Sequence, residues 1–206
     1  GRGGRGARGG RAGRGGRGGR APNLRGPGLL DLRARTRDLR FPFRRVLVSF
    51  GGEDPADLSG ALLEALLGGR WFAAAALAVV EGPLFRRRAW PAGVEVIRAP
   101  GDLRTILPQY DLVFTSWGLT TLEALASGAA VVNLNPSRYH RSLSVAAGVP
   151  EVGVGRPRLR KMRRLLGDRA AFESLRQRFP AESLRRAAAE PEGGAAYFSE
   201  LRPASS

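Results

Sequence analysis

One short segment gathers the side chains best suited to holding a polar, anionic small molecule. Ser116, Gly118, Thr120, Thr121 and Glu123 fall close together in the run YDLVFTSWGLTTLEALASGAAVVNL, from Tyr110 to Leu134. Small hydroxyl residues and a glycine at the start of a helix offer N–H and O–H donors to phosphate, because the first turn leaves its amides unpaired. Glu123 comes three residues after Thr120 and five after Gly118, about one turn into that helix. A carboxylate there can accept two ribose hydroxyls, as the acid of a dinucleotide fold does. The same spacing also writes a capping box, with Thr120 as N-cap and Glu123 reaching back to it. A second loop, SFGGEDP, sets Gly51 and Gly52 between an apolar run and a helix, where the backbone can approach an anion closely.

These loops need elements to hold them. RVLVSF, from Arg45 to Phe50, is short, β-branched and continuously apolar, as buried parallel strands are. A helix follows, with Asp54 as expected N-cap, Pro55 at its first position, a stripe of Leu58, Leu62, Leu63 and Leu66, and a stop at Gly68-Gly69. FAAAALAVV, VEVI, DLVFT and AAVVNL read as further strands, and DLRTILPQ and LTTLEALAS as helices between them. Strands alternating with short helices predict an α/β, Rossmann-like domain over about residues 45–180, a parallel sheet with helices on both faces. RPRLRKMRRLLGDRAAFESLRQRF closes it as one helix, with Leu159, Met162, Leu165, Leu166, Phe172 and Leu175 at helical spacing and its arginines forming a solvated face. Residues 181–206 complete a C-terminal helix and tail. Sheets of this kind bind ligands at the carboxyl ends of their strands, which is where both candidate loops fall.

Composition narrows the function classes. The 206 residues contain no Cys and one His, His140, which excludes disulfides, thiolate metal sites and histidine clusters. The longest apolar run, Phe72 to Val80, is too short to cross a bilayer, and no apolar segment follows the basic start as a secretory signal would. These features fit a cytoplasmic protein. The net charge of +16 is concentrated: residues 1–45 hold 14 Arg and 2 Asp, leaving 20 basic against 16 acidic residues elsewhere. The arm GRGGRGARGGRAGRGGRGGR, residues 1–20, repeats Arg every third position and cannot bury apolar surface, so it is expected to be disordered. It is similar to the RGG segments of RNA-binding proteins without their aromatics, and weak polyanion binding is what it can offer. Residues 21–44 continue as a Pro/Arg-rich linker.

VLVSFGGEDPADL together with YDLVFTSWGLTTLEALASGAAVVNL resembles the C-terminal half of GT-B glycosyltransferases. The branch it looks most like holds the peptidoglycan N-acetylglucosaminyltransferase and the UDP-sugar hydrolase of the pseudaminic acid pathway. The resemblance covers roughly residues 45–155 and implies a single GT-B C-terminal-type domain that binds a nucleotide-diphosphate sugar, with UDP the expected carrier. It implies that Gly51 and Gly52, then Ser116, Gly118, Thr120 and Thr121, clasp the diphosphate and that Glu123 holds the ribose. Ile97 and Arg98, in VEVIRAPGDLRTILPQYD, fall at the base pocket, and Ser137, Tyr139 and His140 near the donor sugar. Gly128 completes the second motif. Three positions depart from the pattern: Glu53, which would repel a diphosphate unless it turns outward, Trp117, and Ala130 in place of Pro.

In this family a separate N-terminal domain supplies the acceptor site and catalytic base, and here the Gly-Arg repeat and linker occupy that place. The chain also begins at Gly1 rather than Met. The expected protein is therefore a donor-binding half, active in hexosyl transfer or UDP-sugar hydrolysis only with a missing domain or partner subunit. No metal or other cofactor and no catalytic residue is assigned. The alternatives are a non-enzymatic nucleotide-sugar-binding module and an RNA- or polyanion-binding protein that works through its arm.

Overall fold

The computed structural model describes residues 42–86 and 88–171. The Gly-Arg arm, most of the linker, and everything after residue 171, including Phe172 and Leu175 of the expected closing helix, lie outside the described residues.

β1 (Val46–Val48) is the apolar run read above, buried along its whole length. It is followed by α1 (Leu58–Gly68), a 3-10 turn (Ala74–Ala76), β2 (Leu77–Glu81), β3 (Glu95–Arg98) and α2 (Leu103–Ile106). Then come a second 3-10 turn (Leu107–Gln109), β4 (Leu112–Thr115), α3 (Leu119–Ala126), β5 (Ala130–Asn135), α4 (Arg138–Ala146), β6 (Glu151–Val154), β7 (Arg156–Pro157) and α5 (Leu159–Gly167). The strands form one sheet in the order β3-β2-β1-β4-β5-β6-β7. The first six are parallel and β7 returns antiparallel on β6. This is the doubly wound α/β order of Rossmann folds, with its switch point between β1 and β4.

Alternation along each strand splits the core into two apolar layers. Val46 and Val48, with Phe114, Val132 and Val152, face α1 and α5 through Leu62, Leu63, Leu66, Met162 and Leu165. Leu47, Val80, Val113 and Val131 face the other side and pack with Leu107, Leu122, Ala124 and Val149. Toward the carboxyl ends this second face turns polar. Ser49, Thr115, Asn133 and Asn135 continue the same alternation, and all four are buried.

Several element boundaries differ from the sequence expectation, each for a visible reason. α1 begins at Leu58, not beside Pro55, because its N-cap is Asp57, whose carboxylate accepts from the Gly60 amide. Asp54 still caps the helix from further back, accepting from the amides of Leu58 at 2.9 Å and Ser59 at 2.7 Å. The alanines of FAAAALAVV coil into the 3-10 turn, and only Leu77–Glu81, with β-branched residues at its centre, extends as strand. The expected long closing helix is interrupted at its start: Arg156-Pro157 forms β7, and Leu159 is left exposed while Met162 and Leu165 are buried. Gly153 permits that tight return, since a Cβ on it would meet the Arg156 carbonyl at 2.3 Å.

Candidate functional site

The carboxyl ends of β1 and β2 open into a cavity of about 750 Å³. It is lined by Ser49, Gly51, Gly52, Val80, Gly82 and Pro83 from those strand ends, by Pro100–Arg104 after β3, and by Leu119, Thr120 and Glu123 of α3. Both loops singled out from the sequence therefore reach one hollow, on the second face of the sheet and close to the switch point.

Each wall follows from local structure. Gly51 has φ 91°, in the left-handed region that glycine tolerates, so the chain can turn sharply off β1. The turn is pinned by the Leu84 amide donating to the Gly52 carbonyl at 3.0 Å. Gly82 lies beneath it with no room to spare: a Cβ there would come within 2.4 Å of that carbonyl. The amides of Gly51 and Gly52 have no hydrogen-bond partner among the described residues. Across the cavity, α3 starts after Gly118, which caps it with no side-chain bond. Leu119 and Thr120, in its first turn, likewise keep free amides. Two sets of unpaired N–H groups thus border the same space, the arrangement that suits an anion.

Glu123 sits on α3, half-buried against the cavity, with no hydrogen-bond or ion-pair partner among the described residues. The capping box does not form: the N-cap is Gly118 and Glu123 is the fifth helical residue, beyond reach of the role. Burial pushes its carboxyl above the usual glutamate range; Arg104 counters this and Asp102 adds to it. Arg104 is itself held by Asp102, through Nε at 3.0 Å and Nη2 at 3.1 Å. Those bonds keep the exposed Asp102 carboxyl below its usual range. The cavity therefore carries one cation gripped by one acid, and a second acid without a direct partner.

The remaining sequence candidates are placed differently. Thr121 is fully buried, its hydroxyl donating to the Ser116 carbonyl at 2.7 Å and lying 3.2 Å from Asn133 Oδ1. It braces the loop from behind. Trp117 is tied down as well, its amide donating to Asn135 Oδ1 at 3.0 Å. Ser116 and Gly118 belong to this braced loop and stand outside the cavity lining. Ile97 packs against the second-face core, and Arg98 is exposed and paired with Glu81 at 3.0 Å. Neither lines the cavity, whose wall after β3 is made by Pro100–Arg104. His140 and Tyr139 lie on α4, away from the cavity lining, with their rings edge-to-face at 5.7 Å. Ser137 is the N-cap there: it accepts from the His140 amide and lies 2.8 Å from His140 Nδ1. Glu53 is exposed, borders a different hollow beside Asp54 and Phe85, and is absent from the cavity lining. Sequence reasoning missed Ser49, Gly82, Asp102 and Arg104; the period-two continuation from Leu47 to Ser49 is the signal that would have found the first.

Among the described residues there is no cluster of His and carboxylates able to hold a metal ion, and no helix is long and apolar enough to cross a membrane. No protein-family model and no curated protein matches the chain. Solved structures with a similar fold include the glycosyltransferase of kitacinnamycin, at 18% identity and a TM-score of 0.49, over 82% of this chain and 46% of that one. Another is the glycosyltransferase SnogD from Streptomyces nogalater, at 20% identity and a TM-score of 0.46, over 83% and 44% respectively. The chain spans less than half the length of either. Its α/β Rossmann-like class is defined by its own strand order.

Proposed function

We propose that this domain binds a nucleotide-diphosphate sugar, with a UDP-sugar the expected ligand, as the donor half of a glycosyltransferase or UDP-sugar hydrolase. The observation that carries the reading is Glu123: a half-buried carboxylate without a direct partner, facing a cavity whose other walls present free backbone amides. Leaving such a group unpaired costs stability, and two vicinal hydroxyls of a ribose would satisfy it. The amides at Gly51-Gly52 and at the start of α3 take the diphosphate, and the Pro100–Asp102 wall is left for the base. The motifs that resemble GT-B donor domains supply these same groups. Acid–base chemistry is assigned to no residue of the described domain, and transfer or hydrolysis draws on a further domain or subunit. Catalysis is thus a property of the assembled protein.

Calorimetric titration of the full chain with UDP tests the reading. UDP should bind, and Glu123→Gln should weaken it by roughly tenfold to a hundredfold, because a charge-assisted acceptor is replaced by a neutral one worth about 1–3 kcal/mol less. The wild type should prefer UDP to its 2′-deoxy form, and the Gln variant should lose most of that preference. Equal affinity of the wild type for both forms removes the ribose from Glu123. An absence of UDP binding removes the reading altogether.

A further inference from the structure

The polar row on the second face of the sheet contains one member that the fold leaves unserved. Asn133 Nδ2 and Asn135 Nδ2 each reach Ser144 Oγ at 3.0 Å, and Asn135 Oδ1 accepts from the Trp117 amide. Thr115 Oγ1 approaches the Ser116 carbonyl at 3.5 Å. Ser49, the fourth, is fully buried, yet its Oγ has no partner among the described residues. The difference is one of position. Thr115, Asn133 and Asn135 lie under the loop after β4 and helix α4, which supply partners. Ser49 stands beside Val80, under the cavity, where no side chain or backbone group among the described residues reaches its hydroxyl.

A buried hydroxyl without a partner is uncommon in a folded protein and costs about 1–3 kcal/mol. Two other buried side-chain oxygens without a partner among the described residues, Ser59 Oγ and the carboxylate Oε2 of Glu151, do not border the cavity, whereas Ser49 does. Its neighbours two and three residues on are Gly51 and Gly52, whose amides are also unpaired. We infer that Ser49 is a ligand-binding residue of this cavity, and that its hydroxyl donates to an oxygen of the diphosphate seated on the Gly51-Gly52 turn. This rests on the nucleotide-binding reading above. The hydroxyl shows no surface to solvent as it stands, and rotation about its single Cα–Cβ bond between staggered positions is the movement that brings it to the ligand.

The inference makes stability and affinity move in opposite directions. Ser49→Ala removes an unserved polar group, so the thermal midpoint of the full chain should hold or rise. UDP affinity should fall about fivefold to tenfold, the loss of one hydrogen bond to a charged acceptor. Affinity for uridine, which lacks the diphosphate, should not change, so the preference for UDP over uridine narrows by the same factor. Ser59→Ala, the same deletion on the opposite face, should leave UDP affinity alone. If the wild type binds UDP and Ser49→Ala binds it equally well, the Ser49 assignment falls while the cavity reading stands. An equal loss for UDP and uridine overturns the diphosphate contact, and a clear drop in the midpoint shows a structural partner and overturns the assignment. A wild type that does not bind UDP ends both proposals.

Discussion

Two glutamates of this domain lie at opposite ends of a physical scale. Glu151, at the start of β6, is buried and accepts from Arg141 Nε at 3.1 Å and from Lys161 Nζ. Burial alone would raise its carboxyl, but Lys161 and Arg141 together outweigh it and hold the group below its usual range. Glu123, half-buried in the cavity wall, has no such partner and is raised. Arg141 comes from α4 and Lys161 from α5, the helices on opposite faces, so Glu151 ties both helical layers to β6. Glu123 clamps nothing. One carboxylate has its charge neutralised by the fold, and the other has no direct partner among the described residues, the state expected of a binding residue under the function proposed above.

The largest effect on this contrast should come from deleting the clamp. Glu151→Ala leaves Lys161 and Arg141 without their acid and should lower unfolding free energy by about 1–3 kcal/mol. Any change in UDP affinity should be no more than the lost folded fraction explains. Denaturant titration with and without UDP measures both quantities. A Glu151→Ala variant as stable as the wild type would mean that the unpaired Oε2 cancels the gain from the two cations, and the contrast with Glu123 would fail.

The same comparison extends to two glycines. Gly82 is required by packing, since a Cβ would strike the Gly52 carbonyl, and Gly82→Ala should cost about 1–3 kcal/mol as overpacking does. At Gly118 the backbone is extended, with φ 161°, and a Cβ would meet nothing within 4 Å. Gly118→Ala should therefore stay within about 0.5 kcal/mol of wild type. If the glycine is there so that a phosphate can approach the start of α3, UDP affinity should fall while the fold is untouched. An unaltered affinity would assign Gly118 to neither fold nor ligand.

Much of this could be read from the chain, and the reasons for the failures are physical. Buried parallel strands announce themselves as short β-branched runs, which is why β1, β4 and β5 fall where the apolar pattern puts them. Short or weakly patterned pieces do not: β6 contains Gly153, and β7 is Arg156-Pro157, neither of them a strand-like run. The start of α1 was harder to place, because Asp-Pro at 54–55 fits capping rules that Asp57 fulfils, whereas α3 begins at Leu119, where LTTLEALAS puts it, and only the alternative capping box at 120–123 fails to form. The two loops were legible as one cavity because a doubly wound sheet brings its loops to one edge. Arg104 and Ser49 were not, since what sets them apart is their surroundings: Arg104 in the grip of Asp102, Ser49 in the lack of any grip among the described residues.

The subtlest difference between the two glutamates is in their response to pH. Glu123 has a carboxyl raised by the fold, so it disfavours the folded state when charged: its contribution is most favourable in acid and is lost as pH rises through the folded value. Glu151 is lowered, so its contribution is present at neutral pH and lost as pH falls through its folded value. Glu123→Gln, which cannot ionise, should thus be slightly more stable than wild type at neutral pH, and the gap should close as the solution is taken below the ordinary glutamate range. Glu151→Gln should be less stable at neutral pH, and its gap should also narrow in acid, from the other side. Adding UDP separates them further. A ligand that satisfies Glu123 should erase the neutral-pH disadvantage of the wild type and leave that of Glu151→Gln as it was. Parallel stability curves for wild type and Glu123→Gln across this range would mean that solvent serves Glu123 adequately and that its carboxylate has no need of a ribose.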